Sequence, residues 1–353
     1  MPDTTAAAIP VDIRNPGRVH RPRRDEVLAD ALLVGVAVAW GSSFVATKQL
    51  SAQVGVVPGL SLRFLFAAAA AWAIIAVRRD RMPRGRTLLI AIALGGFQAV
   101  IIGLETWGVH LTTATNAGLI SSLALIGTPL LESIASRSWL PPSFFVVAVV
   151  AVVGVALLVS SDGFHAPNAG DLLILLAAFV RSVRVVTGGH LMRGRPESSL
   201  SVVAVQVSVS AIVFTAAAAP SLPAAFVHMS AASWFDVVFL GLACSVFAFA
   251  IELWAVRRTS AARASILLGT EPVWAVAVGW LLGGESLGWL GLFGGVLIVA
   301  ASQAGSAIER RHRGRATGSE RRTPARALPR RGTRSPSAAA ARRSRSPRRS
   351  APS

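Results

Sequence analysis

The chain of 353 residues is 53% hydrophobic and only 15% charged, and its formal net charge is +18. Soluble proteins carry a charge on roughly a quarter of their residues, so this composition excludes an ordinary soluble protein. Residues 305–353 contain fifteen Arg and two Glu, a net charge of +13, whereas residues 31–304 carry only +5. The basic charge therefore belongs to a C-terminal segment rather than to a folded surface, which argues against a nucleic-acid-binding domain.

The middle of the chain consists of apolar runs that are long enough to cross a membrane. A transmembrane helix needs about 20 mostly apolar residues, because the hydrocarbon layer is ~30 Å thick and each residue rises ~1.5 Å. Breaks that contain charged residues, Pro or Gly separate the runs. We predict ten spans, at approximately 29–47, 56–77, 87–109, 114–134, 144–160, 172–190, 200–219, 234–255, 263–283 and 287–304.

Basic residues alternate between the connectors of these spans. Arg occurs in the N-terminal segment, in the connectors after spans two, four, six and eight, and in the C-terminal segment. The other five connectors contain no Arg, and their only basic residue is Lys48. Cytoplasmic loops of membrane proteins carry the excess of Lys and Arg. The pattern therefore predicts that both termini are cytoplasmic.

The chain also contains an internal repeat. A shift of 147 residues places the third span over the eighth, with ETWGVHLTTATNAG over ELWAVRRTSAARAS and Glu105 over Glu252. A shift of 141 residues places Asp30, at the start of the first span, over Asp171, directly before the sixth. These shifts define two repeats of five spans each, at residues 29–160 and 170–304. Because five is odd, the second repeat enters the membrane from the opposite side.

Inverted repeats favour a carrier. Two similar halves of opposite orientation can exchange conformations and so open one central site to each side of the membrane in turn. A facilitative channel does not need this exchange, but some channels contain inverted repeats, so a channel is the first alternative. A membrane scaffold that transports nothing and acts through the basic C-terminal segment is the second.

Short motifs occur in a consistent order along residues 30–304. They are Trp40-Gly41-Ser42-Ser43-Phe44 with Lys48, Leu62-Arg63-Phe64, Asn116-Ala117-Gly118 followed by Pro129, Thr259-Ser260-Ala261, Glu271-Pro272-Val273-Trp274-Ala275, Gly279-Trp280 and Gly284-Glu285. In this order they resemble the drug/metabolite transporter superfamily, specifically its ten-helix EamA-type branch. The resemblance implies an all-α membrane protein of two inverted five-helix repeats that carries small metabolites or drugs, often as an exporter of amino acids or related compounds.

Two departures from the family pattern concern the solute. The first repeat has Ser136-Arg137-Ser138 where Gly-Glu would follow the fourth helix, and the second has Arg181 and Arg184 where many members are uncharged. Arg181 lies about 14 Å along its helix, near the midplane, with Arg184 on the same face. Two such guanidinium groups suit a carboxylate or phosphate. The alternative is that each pairs with a Glu of a neighbouring helix.

Other polar residues within the spans are candidates for a cavity, because charge is costly in hydrocarbon and usually faces protein or water. Arg63, Gln98 and Glu105 belong to this group, although a structural role is the alternative for Arg63. Glu105 is the candidate coupling residue, since a carboxyl shielded from water binds a proton more readily; an ion pair or an interfacial position is the alternative. We expect Glu252 at the inner interface, in a structural role.

Small residues at four-residue spacing predict close helix packing. The predicted packing residues are Gly118, Ser122, Ser265, Gly269, Gly291 and Gly295. Pro129 and Pro272 lie inside the fourth and ninth spans, where they free backbone carbonyls and can kink the helices.

The remaining expectations concern the chain ends and the partners. Residues 1–28 are predicted to be a cytoplasmic segment, and residues 305–353, rich in Arg, Ser, Pro and Ala, a disordered cytoplasmic tail that attracts anionic lipid rather than nucleic acid. The sequence contains no catalytic motif, zinc-ligand spacing or phosphate-binding loop. We therefore expect no enzymatic activity, metal or cofactor, and a small-molecule solute driven by a gradient. We expect a multi-pass protein of a bacterial inner membrane. The sequence does not determine its oligomeric state, and a homodimer is one alternative.

Overall fold

The computed structural model describes residues 24–137, 139–159, 168–192, 198–258, 267–285 and 288–322, and all regular structure in these ranges is helical. The chain separates into two compact units, residues 1–312 and 313–353. Of the second unit, only residues 313–322 are described, as the end of the last helix.

Turns and capping residues set the ends of the helices, and the apolar stretches form the longest ones. Gly55 separates the first two helices with a φ of 86°, which glycine adopts without strain. The side chains of Thr113 and Asn168 accept hydrogen bonds from backbone N–H groups and so cap two further helices. The elements are α1 (Arg24–Val54), α2 (Val56–Arg78), α3 (Gly85–Leu111), α4 (Ala114–Ser121), α5 (Ala124–Ser136), α6 (Pro142–Val159), α7 (Ala169–Leu191), α8 (Ser199–Ala218), α9 (Leu222–Val227), α10 (Ala231–Val238), a π-helical segment (Phe239–Phe247), α11 (Ala248–Arg258), α12 (Glu271–Leu281) and α13 (Trp289–Arg322).

Within the described ranges, eight apolar stretches are long enough to cross a membrane, and they correspond to predicted spans one to four, six to eight and ten. They are Val27–Val54, Val56–Arg78, Gly85–Leu111, Ala114–Ala135, Ala169–Leu191, Ser199–Ala218, Ala231–Glu252 and Trp289–Ile308. A shorter apolar helix, Pro142–Leu158, lies at the predicted fifth span. The predicted ninth span begins within residues 259–266, which lie outside the described residues, and its remainder contains α12. The chain is thus a multi-pass helical membrane protein.

Two of the spans are interrupted where the sequence predicts continuous helix. The fourth span divides into α4 and α5 at Ser122 and Leu123, whereas Pro129 lies inside α5. The Ser122 hydroxyl donates to the Leu119 carbonyl at 2.7 Å, a local bond of the kind that competes with regular helix. The eighth span contains the π-helical segment, while the equivalent stretch of the first repeat, residues 92–100, lies within α3.

Equivalent helices of the two repeats exchange equivalent contacts. Helix α1 packs against α12, and its counterpart α7 packs against α5, the counterpart of α12. A Cβ atom added to Gly41 would lie 2.7 Å from Cβ of Trp274, and one added to Gly127 would lie 2.8 Å from Oγ of Ser182. Gly41 and Ser182 are 141 residues apart, and Gly127 and Trp274 are 147 apart, the two shifts of the sequence repeat. The two repeats therefore pack with a two-fold relation.

Glycine positions allow several of these helices to approach closely. Gly118 has no room for a Cβ atom against Ala275, and a Cβ at Gly295 would lie 3.2 Å from Leu119. A contact that the four-residue spacing does not predict joins α6 to α13, where a Cβ at Gly154 would lie 2.8 Å from the Gly294 carbonyl oxygen. Among the other predicted packing residues, Ser122, Gly269 and Gly291 are buried, and Ser265 lies outside the described residues.

The last helix is longer than the sequence predicts. Residues 305–322, expected to be disordered, form the continuation of α13. A Cβ at Gly305 would lie 3.5 Å from the Phe144 ring, and Ile308 packs against the cluster that contains Phe144 and Ile126. Arg, Ala and Glu also favour helix, so the helix continues once packing holds its first turn beyond residue 304. Residues 323–353 lie outside the described residues.

Candidate functional site

A cavity of about 100 Å³, lined by both charged and apolar side chains, lies between the two repeats. Helices α1, α2 and α3 of the first repeat and α7, α11 and α12 of the second contribute its walls. Aromatic side chains, Trp40 and Phe44 from α1 and Phe249 from α11, form part of the apolar lining. The cavity is therefore shared by both repeats.

The structure brings all five predicted cavity residues together. Arg63 from α2, Gln98 and Glu105 from α3, and Arg181 and Arg184 from α7 all line this cavity. The side chains of Arg63, Gln98 and Glu105 are buried. Because a buried charge is stabilised only by partners or by water, the contacts of each charged group decide what it can do.

Arg181 and Glu105 form an ion pair across the cavity. Nη2 of Arg181 donates to Oε1 of Glu105, and the Ser121 hydroxyl donates to the same oxygen at 3.4 Å. The pair joins α7 of the second repeat to α3 of the first. In this conformation both residues thus adopt the alternative that the sequence left open: Arg181 pairs with a Glu of a neighbouring helix, and Glu105 belongs to an ion pair.

Arg184 is less completely satisfied than Arg181. Its Nη2 donates to Oε1 of Gln206 at 2.9 Å, and its guanidinium carbon lies 5.9 Å from the centre of the Phe249 ring. Its Nε atom is buried and has no hydrogen-bond partner among the described residues. A buried donor without a partner is costly, so Arg184 presents an N–H group that a solute oxygen can satisfy.

Arg63 is positioned by the π-helical segment. Its Nε donates to the Ser245 hydroxyl at 3.2 Å, and that hydroxyl donates to the Leu240 carbonyl at 2.8 Å. The indole N–H of Trp40 donates to the carbonyl of Cys244 at 3.0 Å. The segment thereby orients two cavity side chains, and π-helical turns often occur at functional sites. No sequence signal marks the segment, so the role of Ser245 could not be predicted from the sequence.

Two further carboxylates line the cavity, Glu252 from α11 and Glu271 from α12. The expected interfacial position of Glu252 is wrong, because α11 continues to Arg258 and Glu252 faces the cavity before the helix ends. Glu252 interacts electrostatically with Arg184 and Arg181, and Glu271 with Arg181, but the ion pairs among the described residues do not include either carboxylate. The repeat could have identified Glu252, since it lies 147 residues after Glu105 and so occupies the equivalent position.

The charges of the lining balance. Among the described residues, the cavity wall holds three Arg and three Glu, of which only Arg181 and Glu105 are joined directly. The carboxylates do not form a metal site, since the described residues hold no group of three or more His, Cys, Asp or Glu arranged to bind a metal ion. The described lining therefore keeps hydrogen-bonding groups, such as Nε of Arg184, that are not joined to one another.

Comparison with known proteins agrees with this architecture. A solved crystal structure of another protein has a similar fold, with a TM-score of 0.58 over 80% of this chain and 98% of that chain, at 18% sequence identity. No curated protein matches the chain. The EamA-like transporter family matches twice, at residues 27–160 and 168–302, one match for each repeat. Because these matches cover most of the chain, the protein belongs to the EamA-like transporter family, a branch of the drug/metabolite transporter superfamily.

Proposed function

We propose that this protein is a secondary transporter that exports a small organic solute across a bacterial inner membrane by alternating access. Ten helices form two inverted five-helix repeats, and both termini are cytoplasmic. The observation that carries the proposal is the charged cavity between the repeats, to which equivalent positions such as Glu105 and Glu252 contribute from both sides. A site shared by two related halves is the arrangement that alternating access uses.

The size of the cavity supports a carrier rather than an open channel. Its volume is about 100 Å³, below the ~300 Å³ at which small-molecule sites usually begin. A metabolite can enter only if the surrounding helices move apart. The transport cycle therefore includes a conformational change, as expected of a carrier.

The solute is proposed to carry a carboxylate or phosphate. The buried Nε of Arg184 has no partner among the described residues and can donate to an anionic oxygen. Arg181 lies one turn earlier on the same helix and can contribute a second cation when Glu105 releases it. Trp40 and Phe249 supply apolar surface for the remainder of the solute.

Glu105 is proposed to couple transport to protons. The charged groups that share its cavity are Arg181 and Arg184 from α7, Arg63 from α2, Glu252 from α11 and Glu271 from α12. A proton on Glu105 would remove the charge that holds Arg181 and so free that guanidinium for the solute. Proton binding and solute binding are then linked, because each changes the partner available to Arg181.

The Arg-rich C-terminal segment is proposed to contact anionic lipid on the cytoplasmic side. Between residues 305 and 353 the chain carries a net charge of +13. Each basic residue near an anionic membrane surface contributes about 1 kcal/mol of attraction. This contact would orient the protein without taking part in transport.

A metabolite comparison tests the exporter and identifies the solute. Cells that lack the protein and cells that overproduce it are compared for solutes inside and outside, with the Arg184→Gln variant at equal abundance as the control. Overproduction should move one anionic solute to the medium, and the variant should not. Accumulation inside the overproducing cells would show import, and unchanged profiles would contradict export.

A further inference from the structure

A network of polar side chains joins the C-terminal part of α1 to the loop after α12. Nζ of Lys48 lies 3.2 Å from Oε1 of Glu285 and donates to the Thr112 carbonyl at 2.9 Å. The two carboxylate oxygens of Glu285 accept from the backbone N–H groups of Ala114, at 2.7 Å, and Thr115, at 2.8 Å. Glu285 thus caps the start of α4 while it holds Lys48.

The same network reaches the start of α7 through Thr112. The Thr112 hydroxyl donates to Oδ1 of Asp171 at 2.7 Å and accepts from Nδ2 of Asn168 at 3.3 Å. Asp171 is buried and also belongs to the capping box of α7. Four segments from both repeats are therefore joined at one point: the end of α1, the turn between α3 and α4, the start of α7 and the loop after α12.

This network lies directly beyond one end of the cavity. Thr47 and Val109 line the cavity, and Lys48 and Thr112 follow them in α1 and at the end of α3. Gly279 of α12 approaches the Thr115 side chain too closely for a Cβ atom, so the α12 backbone packs against the first turn of α4 there. Separation of these groups would therefore uncover this end of the cavity.

We propose that Lys48 and Glu285 form a gate that closes this end of the cavity. The proposal rests on the proposed transporter function, and the proposed orientation places the gate on the outer side. The Lys48 side chain is 38% exposed, so water can replace its partners at low cost when the gate opens. The repeat-equivalent positions at the opposite end, Gly189 and Ser138, are uncharged. The pair is therefore specific to one side of the membrane.

Cysteine labelling tests the gate without knowledge of the solute. The chain has a single cysteine, Cys244, so Cys244→Ser gives a cysteine-free background and Thr47→Cys then places one thiol in the cavity wall. The probe is a membrane-impermeant maleimide, applied to intact cells and, separately, to inside-out vesicles. Lys48→Met and Glu285→Gln open the gate, Lys48→Arg preserves it, and Asp80→Asn is the control, since Asp80 bonds to Ser198 away from this network.

We expect both gate-opening variants to be labelled from outside about twofold to fivefold faster than the parent, the factor that corresponds to loss of a partly exposed ion pair of ~0.5–1 kcal/mol. Lys48→Arg and Asp80→Asn should be labelled at the parent rate. Equal rates for all variants on both faces would overturn the gate. A faster labelling rate seen only in inside-out vesicles would support the gate and overturn the proposed orientation. The labelling rate does not depend on transport of a solute, so it tests the gate separately from the proposed transport function.

Discussion

Arg181 of α7 donates to Glu105 of α3, so an ion pair joins the two repeats at the cavity itself. Helices α3 and α7 also pack closely, since a Cβ atom on Gly108 would lie 2.7 Å from the Ile174 side chain. Breaking a buried pair by removal of one partner leaves the other charge uncompensated. A movement that separated Arg181 from Glu105 would therefore need a new partner for each, such as a solute oxygen for Arg181 or a proton for Glu105.

Glu105→Gln should abolish the pH dependence of transport. Glutamine keeps a similar shape but binds no proton, so proton occupancy can no longer control whether Arg181 is available. The measurement is solute uptake into proteoliposomes over a series of pH values, with Asp80→Asn as a control outside the cavity. A variant with the normal pH response would remove Glu105 from the coupling step.

Arg184→Gln should weaken solute affinity by about tenfold to a hundredfold, because hydrogen bonds to a charged group contribute ~1.5–3 kcal/mol. Arg181→Gln should weaken it too, since that guanidinium is the second cation of the site. Competition by unlabelled solute in proteoliposomes measures these affinities. Arg86→Gln, at an exposed position, serves as the control. Unchanged affinity in Arg184→Gln would discard the proposed anion site.

The cavity residues could be predicted because a charged side chain within an apolar span is costly in hydrocarbon and usually faces protein or a water-filled cavity. Arg63, Gln98, Glu105, Arg181 and Arg184 were identified by their polarity within hydrophobic runs, and all of them line one cavity. Their pairing could not be predicted, since sequence spacing does not determine which helices become neighbours. Ser245 was missed because a serine in an apolar span is common, and only the π-helical turn brings its hydroxyl to Arg63.

Gly118→Ala should destabilise the fold by ~1–3 kcal/mol, because the new methyl group has no room against Ala275. Gly96→Ala is the matched control, since a Cβ atom at Gly96 meets nothing within 4 Å. Thermal unfolding in detergent measures both variants against the parent. The Gly96 variant should keep or raise the unfolding temperature, and an equal loss in both variants would contradict the packing role of Gly118.

Deletion of residues 323–353 should leave solute flux intact, whereas deletion from residue 305 should lower stability. The first deletion removes only basic segment beyond α13, while the second also removes Gly305 and Ile308, which pack against α5 and α6. Flux in proteoliposomes and thermal unfolding in detergent separate the two effects. Retained flux after the shorter deletion would contradict the scaffold alternative, whereas loss of flux at an unchanged unfolding temperature would contradict the expectation that this segment takes no part in transport.

Residues 305–322 form helix although their composition predicts disorder. A run rich in Arg and Ser buries little by itself and predicts disorder. Ile308 nevertheless packs with Ile126 and Phe144, residues distant in sequence. The lengths and order of the apolar spans followed from hydropathy, but the point at which the last helix ends depends on these long-range contacts.

Counterflow in proteoliposomes tests most directly whether the protein is a carrier. Vesicles are loaded with the unlabelled solute that the metabolite comparison identifies, and the uptake of labelled solute is then followed from outside. Alternating access predicts that internal solute accelerates this uptake and that the rate saturates, because the loaded cavity returns faster than the empty one. Uptake that is neither accelerated by internal solute nor saturable would contradict a carrier and favour a channel.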